Sequence, residues 1–215
     1  MNETIMRRTS GGLERPVQGF NRVSGCDRPV FQILLAEHLS GEAVWIDSGN
    51  EASTYALSSA GSSELLERVV IGRAFTAFQH YHLVNRIEEF VTEDTEFIVL
   101  PNIDQQYVEG NVTEKEAGDL FEEVASKLQS VRKEKDVKIL YSLYGSGLEA
   151  SEMNRLEDNY IKVKSTSEGL KSRGKNVYRH GRTVQTTIGL WNSENDATEV
   201  KNDGKNELDL QEPLG

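Results

Sequence analysis

The peptide Val23-Ser24-Gly25-Cys26-Asp27-Arg28-Pro29-Val30-Phe31 stands where an α/β protein would carry a phosphate-binding loop. A loop of the form GxxxxGK[ST] cradles phosphates with backbone N–H groups, reaches the β and γ groups with its lysine and holds Mg²⁺ through its hydroxyl. With Gly25 aligned on the loop's glycine, Arg28 and Pro29 occupy the Lys-Ser/Thr slot. Pro29 offers neither a hydroxyl nor an N–H. The shape of a nucleotide-binding core is therefore expected without its chemistry, although Gly25 and a following helix N-terminus leave ATP binding without hydrolysis open.

A second group of residues could do chemistry near the C-terminal end. Lys162, Lys164, Lys171, Arg173, Lys175, Arg179 and Arg182 fall close together, opposed only by Glu168 and interleaved with Tyr160 and Tyr178. Cations alternating with aromatics suit a hairpin lying along a phosphate backbone, with tyrosines stacking on bases. The same residues also suit a solvated sheet edge whose lysines discourage strand-to-strand aggregation. Asp47 and Asp104 end apolar runs, where aspartates act mostly as caps and turn formers. His80 and His82 do not share a helix face, so no metal site is expected there. Cys26 is the lone cysteine, which excludes an intrachain disulfide and suits a reducing compartment.

The chain of 215 residues has a formal net charge of −11, which argues against a protein that simply coats nucleic acid. It contains no apolar run long enough to span a membrane, so a cytoplasmic location is expected. Three regions are expected: a flexible arm over 1–22, a core over 23–190 and a disordered acidic tail over 191–215.

Within the core, apolar periodicity predicts a helix over 30–39, a buried strand over 43–47, a strand over 69–72, a helix over 77–91, a strand over 97–100, a helix over 116–132 and a strand over 137–143. Alternating strands and helices imply a mainly parallel sheet covered on both faces. Past Gly147, the pattern of residues 160–164 and the β-like segments 175–182 and 183–190 predict antiparallel hairpins added at one sheet edge.

This order of features resembles the RecA/RadA recombinase core. Arg68-Val69-Val70-Ile71-Gly72-Arg73-Ala74-Phe75, followed by Thr76-Ala77-Phe78-Gln79-His80, is similar to that family's strand and RAF-type turn. Trp45-Ile46-Asp47-Ser48-Gly49-Asn50 is similar to its YIDTE strand end, and Phe97-Ile98-Val99-Leu100-Pro101-Asn102 to the strand of its second nucleotide motif. The resemblance implies a RecA-like P-loop fold in which the phosphate lysine falls on Arg28, the Mg²⁺ hydroxyl on Pro29, the water-activating Glu on Gly49 and the acid after the strand on Pro101. Four wrong residues imply a pseudo-ATPase, because phosphoryl transfer depends on positioning and charge neutralisation by those groups.

The resemblance further implies an accessory role in DNA recombination or repair, through a recombinase partner or single-stranded DNA. The alternative is a protein-interaction module of the same fold without nucleic-acid contact. The family's two DNA-facing loops align with residues 102–113 and 144–154, which are poor in cations, and residues 88–123 carry twelve acids against Lys115 alone. Phe20-Asn21-Arg22-Val23 does not match the family's Phe-x-x-Ala polymerisation motif. The acidic bias, with few lysines outside the hairpin, is also similar to that of proteins from salt-loving archaea or their viruses.

Overall fold

The computed structural model describes residues 13–25, 29–61, 63–166, 169–180 and 183–186. Its first strand, β1 (Gly19–Ser24), leads into α1 (Val30–His38) and β2 (Glu42–Asp47). Two short helices, α2 (Thr54–Ala60) and α3 (Ser63–Glu67), precede β3 (Val69–Arg73), α4 (Ala77–Asn85) and a 3₁₀ turn at Ile87–Glu89. Then come β4 (Thr95–Leu100), α5 (Gln105–Val108), α6 (Glu114–Glu134), β5 (Lys138–Tyr141), α7 (Leu148–Leu156) and β6 (Asn159–Thr166). The backbone continues as β7 (Gly169–His180) and β8 (Thr183–Thr186).

The sheet runs β3-β2-β4-β5-β1-β6-β7-β8. Every pairing from β3 to β6 is parallel, which makes a six-stranded parallel sheet with β1 between β5 and β6. The backbone of β7 pairs antiparallel with β6 and with β8. Parallel strands need long crossovers, and those crossovers bring helices onto both faces. That is why β2, β4 and β5 read as continuous apolar runs and are almost wholly buried.

One face packs α1, α2 and α3 against Val23, Trp45, Phe97, Val99, Leu140, Ile161 and Val163. The other packs α4, α6 and α7 against Phe20, Val44, Ile46, Ile98, Leu100, Ile139 and Tyr141. The long helix α6 follows from its sequence: Thr113 caps it by accepting from the Glu116 N–H, Glu114 and Glu116 sit at its positive end, and Arg132 and Lys133 at its negative end. Its buried stripe of Ala117, Phe121, Val124, Leu128 and Val131 has helical spacing.

Three expectations are corrected. Chain order begins earlier than Val23, because Leu13 is buried and β1 starts at Gly19, with Phe20 fully enclosed. The helix expected over 77–91 ends at Asn85, and Arg86 (φ −100°, ψ 10°) turns the chain into the 3₁₀ segment. Residues 160–164 pair on both sides: the β6 backbone runs antiparallel to β7 and also parallel to β1, with Arg22 opposite Tyr160 and Val23 opposite Ile161. The segments 102–113 and 144–154, read as loops, contain α5 and most of α7.

Candidate functional site

Helices on opposite faces create a crevice at the carboxyl edge of the sheet. After β1 and β2 the chain turns to the face of α1 and α2; after β4 and β5 it turns to the face of α6 and α7. Neighbouring strands whose connections diverge in this way leave a gap between their carboxyl ends, where α/β proteins place ligands. Here β1 neighbours β5, and β2 neighbours β4. An open cleft of about 340 Å³ lies at this edge, lined by Ser24, Gly25, Pro29, Gln32, Glu51 and Asn102 among others. Its size is near the lower end of ligand sites, about 300–1,000 Å³.

The expected nucleotide-site residues converge on this edge. Gly25 follows β1 with φ +95°, and Pro29 enters α1 without a side-chain cap. Both line the cleft, as does Pro101 after β4. Gly49 lies after β2, where a Cβ would fall 2.6 Å from Gln105 Oε1 and 3.1 Å from Asn102 Nδ2. A glutamate at that position would have to displace both side chains. Arg28 lies outside the described residues, with Cys26 and Asp27.

The polar groups along the edge are bonded to one another. The buried Asp47 carboxylate accepts from the Glu51 and Ala52 N–H groups at 2.8 and 3.1 Å and pairs with Arg73 at 3.4 Å. The Ser48 hydroxyl lies 2.9 Å from the carbonyls of both Pro101 and Asn102, tying β2 to the end of β4. Asn102 stands at φ +48°, a left-handed conformation that Asn tolerates, and its N–H donates to Ser142 Oγ at 2.8 Å. Gln106 donates to the Ser48 carbonyl at 2.6 Å, and Gln32 to the Glu51 carbonyl at 2.7 Å.

Asp104 does the same work between β4 and β5. It is fully buried, and its carboxylate accepts from the Tyr144 and Gly145 N–H groups at 2.6 and 2.8 Å. The two segments expected to face DNA are thus pinned to each other. Asp47 and Asp104 act as loop fasteners, and among the described residues no cluster of three or more His, Cys, Asp or Glu forms.

Two residues that sequence reasoning passed over carry the charge in the cleft. Glu51 points its carboxylate at Asn102 Nδ2, and partial burial followed by the nearby Asp47 charge pushes its pKa up. Arg22 reaches Asn154 Oδ1 at 2.7 Å and Glu157 at 3.7 Å, while its Nε is buried without a partner. An arginine on the central strand of a parallel sheet is the signal that marks this position, since such strands are otherwise apolar.

The basic residues are spread along β6 and β7. Lys162 and Lys164 are exposed on β6, while Ile161 and Val163 on the alternate positions enter the core. Lys171, Arg173, Lys175 and Arg179 lie on the β7 backbone. Arg182 and the acidic tail lie outside the described residues. Tyr160 is not an open stacking platform: its hydroxyl bonds Ser24 Oγ at 2.6 Å and the Arg22 guanidinium lies 5.6 Å from its ring centre.

Fold and site together define an α/β protein whose parallel sheet, helices on both faces and carboxyl-edge crevice are shared by Rossmann-like and P-loop-like proteins. No protein-family model matches the chain, and no curated protein matches it by sequence. Among the described residues, no helix is long and apolar enough to cross a membrane.

Proposed function

We propose that this chain is a catalytically inactive relative of the RecA/RadA ATPases that serves as an accessory factor in DNA recombination or repair, through a recombinase partner or single-stranded DNA. One observation carries the reading. Pro29, Gly49 and Pro101 stand together at the carboxyl edge, and these are the positions onto which the resemblance puts a magnesium hydroxyl, a water-activating glutamate and a metal-binding acid. The neighbouring polar side chains, Asp47, Ser48 and Ser142, are committed to holding loops together. Glu51 adds a negative charge where a triphosphate would lie, which disfavours nucleotide in the cleft.

ATP turnover, measured with and without single-stranded DNA, tests the reading. The expected result is no hydrolysis above a protein-free blank. Turnover that disappears in the Arg28→Ala variant would overturn the pseudoenzyme claim. Direct co-sedimentation with a purified recombinase tests the partner arm.

A second reading, a protein-interaction module without nucleic-acid contact, is favoured by one specific feature. The outer strand β3, the turn after it and the start of α4 expose Val70, Phe75 and Phe78 at 48, 70 and 44%. Exposed apolar side chains beside an open strand edge suit a protein partner. If Phe75→Ser abolishes recombinase binding while oligonucleotides never bind, this second reading is the correct one.

A further inference from the structure

We infer that β3, the outer strand of the sheet, pairs antiparallel with β3 of a second copy of this chain, joining two sheets across a two-fold axis at Ile71. The inference rests on the second reading above, that this edge meets protein, and goes beyond it in naming the occupant and the register. In a parallel pair, alternate residues turn their N–H and C=O groups towards the neighbouring strand. The Ala43 N–H donates to the Arg68 carbonyl and the Ala74 N–H to the Asp47 carbonyl. Between those bonds the register is unbroken, from Ala43 opposite Val69 to Asp47 opposite Arg73. Val70 and Gly72 therefore bond β2, while the N–H and C=O groups of Val69, Ile71 and Arg73 face outward. Among the described residues, none of those outward groups has a partner.

Open edges are normally guarded by lysine, proline or a bulge, and β3 has none of these. Its single charged side chain is drawn back towards the turn after β2, where Arg73 donates to Asn50 Oδ1 and the Ala52 carbonyl and pairs with Asp47. The edge also fits a copy of itself. Val69 and Ile71 pack on the side of α1 to α3, so Val70 and Gly72 lie on the other face, with Gly72 beside Leu83. With Ile71 on the axis, outward groups meet outward groups, and Val70 falls opposite Gly72 of the second copy. That is a non-hydrogen-bonded pair, whose Cα atoms approach to about 4.5 Å. The half-exposed Val70 side chain then covers a position without a Cβ, once on each side of the axis. No like charges meet, because Arg73 falls opposite Val69. A strand of five residues is short for the about 1,200–2,000 Å² of a stable interface, so a weak, concentration-dependent dimer follows.

The test is sedimentation velocity of the full chain from about 1 to 500 µM, with amide hydrogen exchange at both ends of that range. A monomer that becomes a dimer across the range is expected. At high concentration exchange at Val69, Ile71 and Arg73 slows about threefold or more, while the Val70 and Gly72 amides, already bonded to β2, do not change. Val70→Lys puts a charge into the pairing and Gly72→Val fills the notch, so each weakens dimerisation about tenfold or more. Val108→Lys, at an exposed valine on α5, leaves it unchanged.

A chain that stays monomeric at the top of the range overturns the pairing. If that monomer still loses a recombinase on Phe75→Ser, the second reading stands without the dimer; if it binds no protein through this edge, both fall. A dimer that survives Val70→Lys undiminished, or whose outward amides exchange equally at both concentrations, also overturns the pairing, because its contact then lies elsewhere. Circular dichroism of each variant separates lost contact from lost folding, and the exchange pattern is read on the unaltered chain.

Discussion

Acid should destabilise this fold through one buried side chain, His80. It lies on α4 with no exposed surface; Nδ1 is 2.9 Å from the Tyr107 hydroxyl and Nε2 has no partner. Burial lowers its pKa from 6.5 to about 4. The folded protein therefore keeps the ring neutral while the unfolded chain protonates it, so the unfolded state binds the extra proton between those values. Stability is complete above pH 6.5 and declines as pH falls towards 4. The full shift corresponds to about 3 kcal/mol, and about 2 kcal/mol of it is lost between pH 7.5 and 5.0.

Urea unfolding at those two pH values measures the loss, and His80→Gln isolates it from the carboxylates. The variant keeps a polar group near Tyr107 but cannot titrate, so its pH-dependent loss should be smaller than that of the parent by about 2 kcal/mol. Its lower absolute stability does not matter, because only the difference between pH values is compared. If parent and variant lose stability in parallel to within about 0.5 kcal/mol, the burial argument for His80 is refuted.

Three further outcomes follow from the carboxyl edge. Asp104→Ala leaves the Tyr144 and Gly145 N–H groups without an acceptor and should cost about 2–4 kcal/mol, read as a lower urea midpoint. Gly25→Ala places a Cβ 2.6 Å from the Val163 carbonyl at φ +95° and should destabilise by more than 1 kcal/mol in the same assay. Ser48→Ala frees the carbonyls of Pro101 and Asn102; faster amide exchange at the ends of β2 and β4, at about 1 kcal/mol of global cost, is the expected readout.

The helices and strands with strong periods were legible from residue order alone. Four-residue apolar runs such as Phe97-Ile98-Val99-Leu100 have no polar face, and only a strand covered on both sides fits them. The stripe of α6 was equally plain. Harder to read were segments whose burial depends on distant partners. Gly19-Phe20-Asn21-Arg22 looks polar, yet Asn21 is fully buried because its side chain bonds the Val17 and Gly19 carbonyls and accepts from the Val17 N–H and from Asn159. Similarly, α7 begins at Leu148 after a Gly-Ser-Gly stretch that reads as loop, and Met153, fully buried on it, supplies the anchoring contact.

The cleft illustrates why a strand end can be recognised from sequence while its purpose cannot. Asp47 and Asp104 follow apolar strands, as metal-binding or catalytic acids do, and a strand-end pattern alone does not separate those roles from fastening. What decides is where the lone pairs go: each carboxylate accepts two backbone N–H groups from a neighbouring turn. A group spent in this way gains charge-assisted bonds to the loops and loses its freedom to meet a ligand. Beside Gly49 the Gln105 and Asn102 side chains come within 2.6 and 3.1 Å of where a Cβ would lie, so a longer side chain there requires both to move. A Gly49→Glu variant should accordingly lose stability without gaining ATP turnover, whereas hydrolysis arising from that single change would mean that the edge had kept an open catalytic site.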